Sequence, residues 1–214
     1  MSEKVNAPRK YDSSRRQSQA RETRAAILGA GQRRFEQHGY AQTTMAAVAA
    51  DAGVAVETVY KAFGNKPGLV KALFDVAVVG DDEPIPMMQR ASVLRNMAEP
   101  DPRRKLESYG HHVAEVGPRT GPLLLLIRDA ASHDAGAAEL WDQLQVERLT
   151  GMTYFAQHLD EGGHLRSTVS REEARDVLWV QNSVELWDLL VRSRGWSHQR
   201  FGDWVGHQLV AALL

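Results

Sequence analysis

Three glycines divide the first third of this 214-residue chain into short segments, and that division most constrains its fold. Gly39, Gly53 and Gly64 each follow a helix-forming stretch, at the position where glycine commonly ends a helix. The second and third stretches are too short to be stable alone and must pack on the first. The spacing therefore predicts a tri-helical unit with a helix-turn-helix, built from helices over residues 18–38, 44–52 and 56–63.

The remainder of the chain also reads as helices. Runs of alternating hydrophobicity and Asn-Gly or Asp-Gly hairpin turns are absent, while helix caps and stops are frequent. Asn65 is predicted to cap a helix with Pro67 in its first turn, and the segment GDDEPIP is predicted to be a loop. The fold class is thus all-α, with further helices predicted over residues 87–98, 102–116, 120–132, 136–161, 171–194 and 197–213.

Composition excludes several classes of protein. The chain has no Cys, which rules out disulfides, thiolate metal sites and thiol nucleophiles. It contains no apolar run near the roughly 18 residues that cross a bilayer, and its N-terminus lacks the apolar core of a signal peptide. We therefore expect a cytoplasmic protein without membrane contact, and we interpret residues 1–17 as a disordered basic arm.

Charge is divided unevenly along the chain. Residues 1–66 carry 11 Lys and Arg against 6 Asp and Glu, whereas residues 67–214 carry 15 against 21. A basic front and an acidic back are typical of a small polyanion-binding domain joined to a body that does not touch the polyanion.

The second short helix of the helix-turn-helix carries the candidate DNA-reading face. In such a unit this helix lies in the major groove, with its N-terminal residues nearest the bases. Lysines and hydroxyls can bind phosphate, Glu57 can accept from a cytosine amino group, and Ala55 or Val56 can contact a thymine methyl. The open alternative is a tri-helical packing module with no role in DNA binding.

Residues 24–74 resemble the DNA-binding domain of the tetracycline-repressor (TetR-like) family. The matching pieces, in order, are Ile27-Leu28, Phe35, Gly39-Tyr40, Thr43-Thr44, Val48-Ala49, Ala52-Gly53-Val54, Thr58-Val59-Tyr60, Phe63-Gly64 and Lys66 with Leu69. The resemblance implies a homodimeric transcriptional regulator whose helical C-terminal body binds a small molecule. It also implies phosphate contacts by Thr44, Thr58, Tyr60 and Lys66, and base contacts by residues 55–57. The predicted DNA-contacting set is Thr43, Thr44, Ala55, Val56, Glu57, Thr58, Tyr60, Lys61 and Lys66.

Three positions depart from the family pattern. Ala55 stands where a Ser usually caps the recognition helix, and Ala62 stands where a His commonly reaches the DNA backbone. Arg34 replaces a usually aliphatic residue of the first helix.

The body, residues 67–214, is expected to bind an effector and to form the dimer. The segment PLLLLI at 122–127 is apolar on every side, which predicts a central buried helix. A ligand cavity would be walled by apolar and aromatic groups with a few polar ones, although most such groups are simply core. The candidate effector-binding residues are Tyr109, His112, Arg128, Trp141, Met152, Tyr154 and Phe155.

The last two predicted helices carry more apolar surface than one core contact needs. The excess predicts a second buried face, as in an isologous four-helix dimer interface, with a thicker monomer core as the alternative. Two-fold symmetry would place two reading helices about 34–36 Å apart on a pseudopalindrome. The candidate interface residues are Val177, Val180, Val184, Trp187, Val191, Phe201, Trp204 and Val205.

Motifs for catalysis are missing. The sequence has no Gly-x-Ser-x-Gly, no His-Glu-x-x-His and no phosphate-binding glycine loop, and His111 with Glu115 supplies too few ligands for a metal. We expect no enzyme activity, cofactor or metal. The prediction is a repressor of transcription that an unknown small-molecule effector releases from double-stranded DNA. The alternatives are an effector-independent regulator, an activator, or a small helical enzyme with a vestigial head.

Overall fold

In a computed structural model, residues 11–214 are described, with side chains from residue 15 onward. These residues form ten α-helices, a 3-10 turn at Met87–Gln89 and a π-helical turn at Asp188–Ser193. None of the described helices is long and apolar enough to cross a bilayer. The helices are α1 (Tyr11–Gln42), α2 (Met45–Ala52), α3 (Val56–Phe63), α4 (Lys66–Val79), α5 (Ala91–Ala98), α6 (Pro102–Ala131), α7 (Ala135–Glu161), α8 (Arg171–Gln181), α9 (Val184–Trp187) and α10 (His198–Leu213).

The chain divides into two compact units, one ending at Leu73 and one running from Phe74 to Leu214. The sequence had suggested a boundary after Lys66. The first half of α4 belongs to the first unit because Leu69 and Val70 are fully buried there, with Leu69 packed beside Gly31 of α1.

The first unit has the predicted tri-helical core. Ile27 and Phe35 of α1 are buried together with Val48 of α2 and Val59 of α3. The N-terminal boundary of α1 differs from the prediction: residues 11–17 are helical, and residues 1–10 of the predicted arm lie outside the described residues. The segment from Tyr11 to Gln17 contains neither Pro nor Gly, so nothing in it breaks a helix.

Two predicted helices of the second unit are one continuous helix. α6 runs through Gly117-Pro118, the pair expected to separate helices at 102–116 and 120–132, and it also contains Pro122. The stretch packs closely on its neighbours, because a Cβ added at Gly117 or Gly121 would lie 2.8 or 2.6 Å from the indole of Trp187. Tertiary packing of this kind outweighs the helix-breaking preference of single residues.

The predicted helix over 171–194 is instead divided. α8 ends at Gln181, Ser183 caps α9 by accepting a hydrogen bond from the Leu186 amide, and the π-helical turn follows. The predicted helix over 87–98 begins with the 3-10 turn and becomes α-helical only at Ala91. The second unit buries a core shared by α6, α7, α8 and α10.

Candidate functional site

The helix-turn-helix of the first unit is built by local capping. The Thr44 hydroxyl accepts from the Ala47 amide at 3.1 Å, and Gly53 ends α2 in the left-handed conformation at φ 67°. Ala55 begins α3 without a side-chain cap, as expected where the usual Ser is missing. α3 buries Val59 and Phe63, so its opposite face is directed outward.

Most of the predicted DNA-contacting residues lie on that outward face. Tyr60 is 51% exposed and sits one turn from the start of α3. The face therefore combines a cation, a phenol, a hydroxyl and a carboxylate on one helix. The exposed members of the set are Thr44, Ala55, Glu57, Tyr60 and Lys61, and the half-buried members are Val56, Thr58 and Lys66.

Thr43 must be removed from the predicted set. Its side chain is 1% exposed, and its hydroxyl donates to the Gly39 carbonyl oxygen at 2.8 Å. Gly39 has φ 70°, which bends the end of α1, and the Thr43 hydroxyl bonds to the carbonyl at that bend. The residue thus supports the fold and is not available to DNA.

Lys66 lies at the start of α4 and is held by Tyr40. Its Nζ donates to the Tyr40 carbonyl oxygen at 3.0 Å and lies 4.0 Å from the centre of the Tyr40 ring. An ammonium group has three hydrogens, so this contact fixes the cation and still leaves donors for a phosphate.

Arg34, the unusual residue of α1, forms a two-pronged ion pair that sequence reasoning missed. Its Nε and Nη2 donate to Asp51 of α2 at 2.5 and 2.8 Å. The hydrogen bonds from Arg34 hold the pKa of the Asp51 carboxyl below its usual range. The pair joins α1 to α2 at the position where the resemblance leads us to expect an aliphatic residue.

The second unit contains a cavity of about 980 Å³. It is walled by the end of α4, the segment from Asp81 to Glu99, α6, α7 and the α8–α9 junction. Among the predicted effector residues, the structure places Tyr109, His112, Met152 and Phe155 in its wall. The rings of Tyr109 and Phe155 meet edge to face at 5.1 Å, and burial lowers the pKa of His112.

The other three predicted effector residues do not line this cavity. Arg128 makes surface ion pairs with Asp129 at 3.3 Å and Glu185 at 3.8 Å. Trp141 packs against the core, and Tyr154 is 53% exposed on α7. Helical periodicity in the sequence could not show which apolar and aromatic residues of α6 and α7 face the cavity and which face away from it.

A polar corner lies at the α8–α9 junction within the cavity. Asn182 Nδ2 donates to the Tyr109 hydroxyl oxygen at 2.6 Å, and that hydroxyl donates to Met152 Sδ at 3.2 Å. Burial raises the pKa of Tyr109 to about 12, which keeps the phenol protonated. Arg148 completes the corner by donating to Gln145 Oε1 at 2.7 Å and to the carbonyl oxygen of Trp179.

Sequence reasoning missed Arg148, Gln145 and Asn182. One signal was available for Asn182, since Asn-Ser in an otherwise apolar helical stretch favours a helix end and a new cap. Arg148 had no such signal, because a single Arg on a long helix is usually solvated.

Two further sets of contacts hold the segment from Asp81 to Glu99, which forms part of the cavity wall. Arg90 Nη1 donates to both carboxylate oxygens of Asp81, at 2.6 and 2.8 Å. Lys105 of α6 is 1% exposed, and its Nζ lies 3.0 Å from the Met97 carbonyl oxygen and 2.5 Å from His158 Nε2. α5 itself buries no residue completely, so these bonds fix much of its position.

The predicted dimer face needs a substantial correction. Val184, Trp187, Phe201 and Val205 are each 6% exposed or less within the single chain, so they belong to its own core. The break at Ser183 changes the phase of the predicted stripe before Trp187, whose indole packs on α6, and the π-helical turn shifts the residues that follow. Partial exposure remains for Val177, Val180, Val191 and Trp204.

Sequence similarity to known proteins is found over a short stretch of the chain, whereas structural similarity extends over most of it. Residues 27–73 match the model of the N-terminal domain of "Bacterial regulatory proteins, tetR family". The transcriptional regulator TtgR of Pseudomonas putida is 46% identical over 61 residues. The aligned stretch covers only 28% of this chain and 29% of that relative.

Solved structures resemble the chain over most of its length. NalD, the secondary repressor of the MexAB-OprM multidrug efflux pump in Pseudomonas aeruginosa, has a TM-score of 0.72 at 19% identity, covering 92% of this chain and 98% of NalD. The transcriptional regulator FadR of Bacillus subtilis, solved with stearoyl-CoA, has a TM-score of 0.67 at 16% identity, covering 89% and 99%. At these identities the likeness establishes the fold.

Proposed function

We propose that this chain, which is a TetR-like protein by its N-terminal domain and its fold, is a DNA-binding transcriptional regulator that a small-molecule effector controls. The observation that carries the proposal is the outward face of α3, where exposed Glu57, Tyr60 and Lys61 lie on the side opposite the buried Val59 and Phe63. We place its action in the cytoplasm and assign it no catalytic role.

The proposed reading mode assigns separate tasks to the two ends of α3. Ala55, Val56 and Glu57 begin the helix, where a major-groove helix meets base edges. Tyr60 and Lys61 lie a turn further on and would bind phosphate, with Thr44 contributing its hydroxyl from the start of α2. The phosphate contacts supply affinity, and the residues at the helix start supply sequence preference.

We propose that the effector occupies the cavity of the second unit. A cavity of about 980 Å³ with an apolar wall and one polar corner is of the size and character of a small-molecule site. Arg119 of α6 donates to the Ala77 carbonyl oxygen at 2.8 Å, near the end of α4. α4 begins at Lys66, three residues after the end of α3. We propose that a shift of α6 on effector binding moves α4, which is continuous in the chain with the helix-turn-helix.

Repression with release by the effector is the regulatory sign we propose. NalD is described as a repressor, and FadR was solved with a bound acyl-CoA, which supports an effector-controlled repressor of this fold. If DNA and effector favour different conformations of the protein, each must weaken the binding of the other by the same factor.

We also propose that the regulator is a homodimer. Val180 and Leu189 are 49% and 57% exposed on the α8 and π-turn surface, although both are large and apolar. Replacing both by Glu should reduce the mass measured by light scattering to that of one chain. The double replacement of exposed Val146 and Tyr154 on α7 by Glu is the matched control and should leave the mass unchanged.

The DNA-binding proposal is tested by selection from random duplexes followed by titration over a range of salt concentrations. Lys61→Ala should weaken binding to all sequences and lower the salt slope by about 1, because one phosphate contact is lost. Arg103→Ala, which removes an exposed cation from the second unit, should leave the slope unchanged. Glu57→Gln should change the selected bases more than the overall affinity. Failure to enrich any duplex at low salt would refute the proposal.

A further inference from the structure

The polar corner of the cavity contains a cation without an anionic partner. Arg148 donates to three acceptors, which are Gln145 Oε1, the Trp179 carbonyl oxygen and, at 3.5 Å, Asn182 Oδ1. All three acceptors are neutral. Among the described residues, no ion pair includes Arg148, whose guanidinium stacks 4.5 Å from the centre of the Trp179 ring. Glu185 is near enough to raise the pKa of Arg148, but burial lowers that pKa more, and the ion pair of Glu185 is with Arg128 at 3.8 Å. A partly buried guanidinium without a carboxylate is costly, so a ligand that supplies an anion would gain from it.

Hydrogen-bond donors exceed strong acceptors around this cation. A guanidinium has five N–H groups, and the three bonds of Arg148 leave two without an acceptor in the described part of the protein. Trp187 also lines the cavity, but its indole Nε1 is buried beside Gly117 of α6, where it has no hydrogen-bond partner among the described residues. The Tyr109 hydroxyl donates only to a thioether sulfur, which is a weak acceptor.

Carboxylates at the mouth of the cavity have partners of their own. Both carboxylate oxygens of Asp81 accept from Arg90 Nη1, and Glu99 accepts from the Asp101 amide at 3.0 Å. Glu115 lies 3.9 Å from Arg119. These three of the seven carboxylates in the cavity wall are therefore engaged by neighbouring residues, whereas Arg148 has no carboxylate of its own.

The rest of the wall is apolar and adaptable. Phe155, Met152, Leu124 and Val113 surround the route from the polar corner, and methionine and aromatic side chains adjust to varied apolar bodies. A single cation suits a single negative charge, and the planar guanidinium fork matches a carboxylate.

We propose that the effector is an organic monoanion, with an apolar body in the cavity and one carboxylate bound by Arg148. This inference rests on the proposed function in taking the cavity as the effector site. Tyr109 supplies a neutral donor beside the bound anion, and the charge of Arg148 selects it over neutral and cationic molecules of the same shape.

The test compares three probes that share one chain, which are dodecanoate, dodecanol and dodecylamine at concentrations below micelle formation. Binding is followed without DNA by calorimetry and by quenching of tryptophan fluorescence. Dodecanoate should bind at least tenfold more tightly than dodecanol, and dodecylamine should bind most weakly. Equal affinities, or a preference for the amine, would overturn the proposal using the unaltered protein alone.

Variants then assign the preference to one residue. Arg148→Met should remove the advantage of dodecanoate and leave the affinity for dodecanol within about twofold, whereas Arg148→Lys should retain part of it. Arg128→Met is the matched control, because Arg128 lies outside the cavity wall and its loss should not alter the preference. An unchanged preference in a folded Arg148→Met protein would also overturn the proposal.

Failure of this inference can be told apart from failure of the proposed function. A protein that prefers dodecanoate but selects no duplex refutes regulation and leaves the anion site standing. A protein that selects a duplex but binds all three probes equally refutes only the anion site.

Discussion

The contact between α6 and α10 makes a sharp prediction about stability. Gly110 of α6 faces Gly202 and Gly206 of α10, and a Cβ added at Gly110 would lie 2.5 Å from both the Gly202 carbonyl oxygen and the Gly206 amide nitrogen. Both atoms are backbone, so the helices must separate by about 1 Å to admit a methyl group. Such a gap forfeits a quarter to a half of the dispersion energy of the contact.

The magnitude follows from two opposing effects. Overpacking of this kind costs about 3 kcal/mol, and replacing a helical Gly by Ala returns about 1 kcal/mol of helix propensity. Gly110→Ala should therefore destabilise the second unit by about 2 kcal/mol. Gly151→Ala is the matched control in α7, since a Cβ there meets nothing within 4 Å and should stabilise by up to about 1 kcal/mol.

Urea unfolding followed by tryptophan fluorescence measures this difference. All five Trp residues lie in the second unit, so the signal reports on that unit. With a slope near 2 kcal/mol per molar urea, the two variants should differ in midpoint by about 1.5 M at one fixed protein concentration. If Gly110→Ala unfolds at or above the midpoint of the wild type, the close approach of α6 and α10 is refuted.

Two further predictions concern titrating groups. Arg34→Met should raise the pKa of Asp51 toward the ordinary range, as measured by carboxyl NMR, because the hydrogen bonds that lower it are lost; an unchanged pKa would contradict the ion pair. Burial and the nearby Lys105 ammonium hold the pKa of His158 below its usual value near 6.5, so the unfolded chain binds the additional proton first. The stability contribution of uncharged His158 is therefore complete above about pH 6.5 and is lost as the pH falls below that value. His158→Gln keeps an acceptor for Lys105 but cannot titrate, so its urea midpoint should fall less over this range, and equal pH slopes would contradict the assignment.

The first unit was predictable because its signals are local. The sequence predicted Thr43 or Thr44 as the cap of α2, and Thr44 is the residue that caps it, while Gly53 ends α2 and Gly64 ends α3 as predicted. Each of these positions needs a particular side chain or a positive φ, and that need is visible in a single sequence. Thr43 was misassigned because its neighbour Thr44 has the same chemistry, and only the bend at Gly39 decides which hydroxyl is used internally.

The second unit was less predictable because its signals are tertiary. A stripe of apolar residues spaced for one unbroken helix placed Val180 and Trp187 on the same face. The new cap at Ser183 starts another helix between these two residues, so Val180 is 49% exposed while Trp187 is 6% exposed. One polar residue within an apolar helix is therefore enough to invalidate a periodicity argument for everything after it.

The same polar break positions the chemistry of the cavity. Asn182 ends α8, and its amide bonds both the Tyr109 hydroxyl and, weakly, the Arg148 guanidinium. If α8 continued as a regular helix through residue 182, the Asn182 side chain would point in a different direction. It could then not bond both Tyr109 and Arg148. Departures from local helical preference are expected where function requires them. The effector preference that we propose thus depends on a few residues at one helix break, and these residues can change while the helix-turn-helix stays the same.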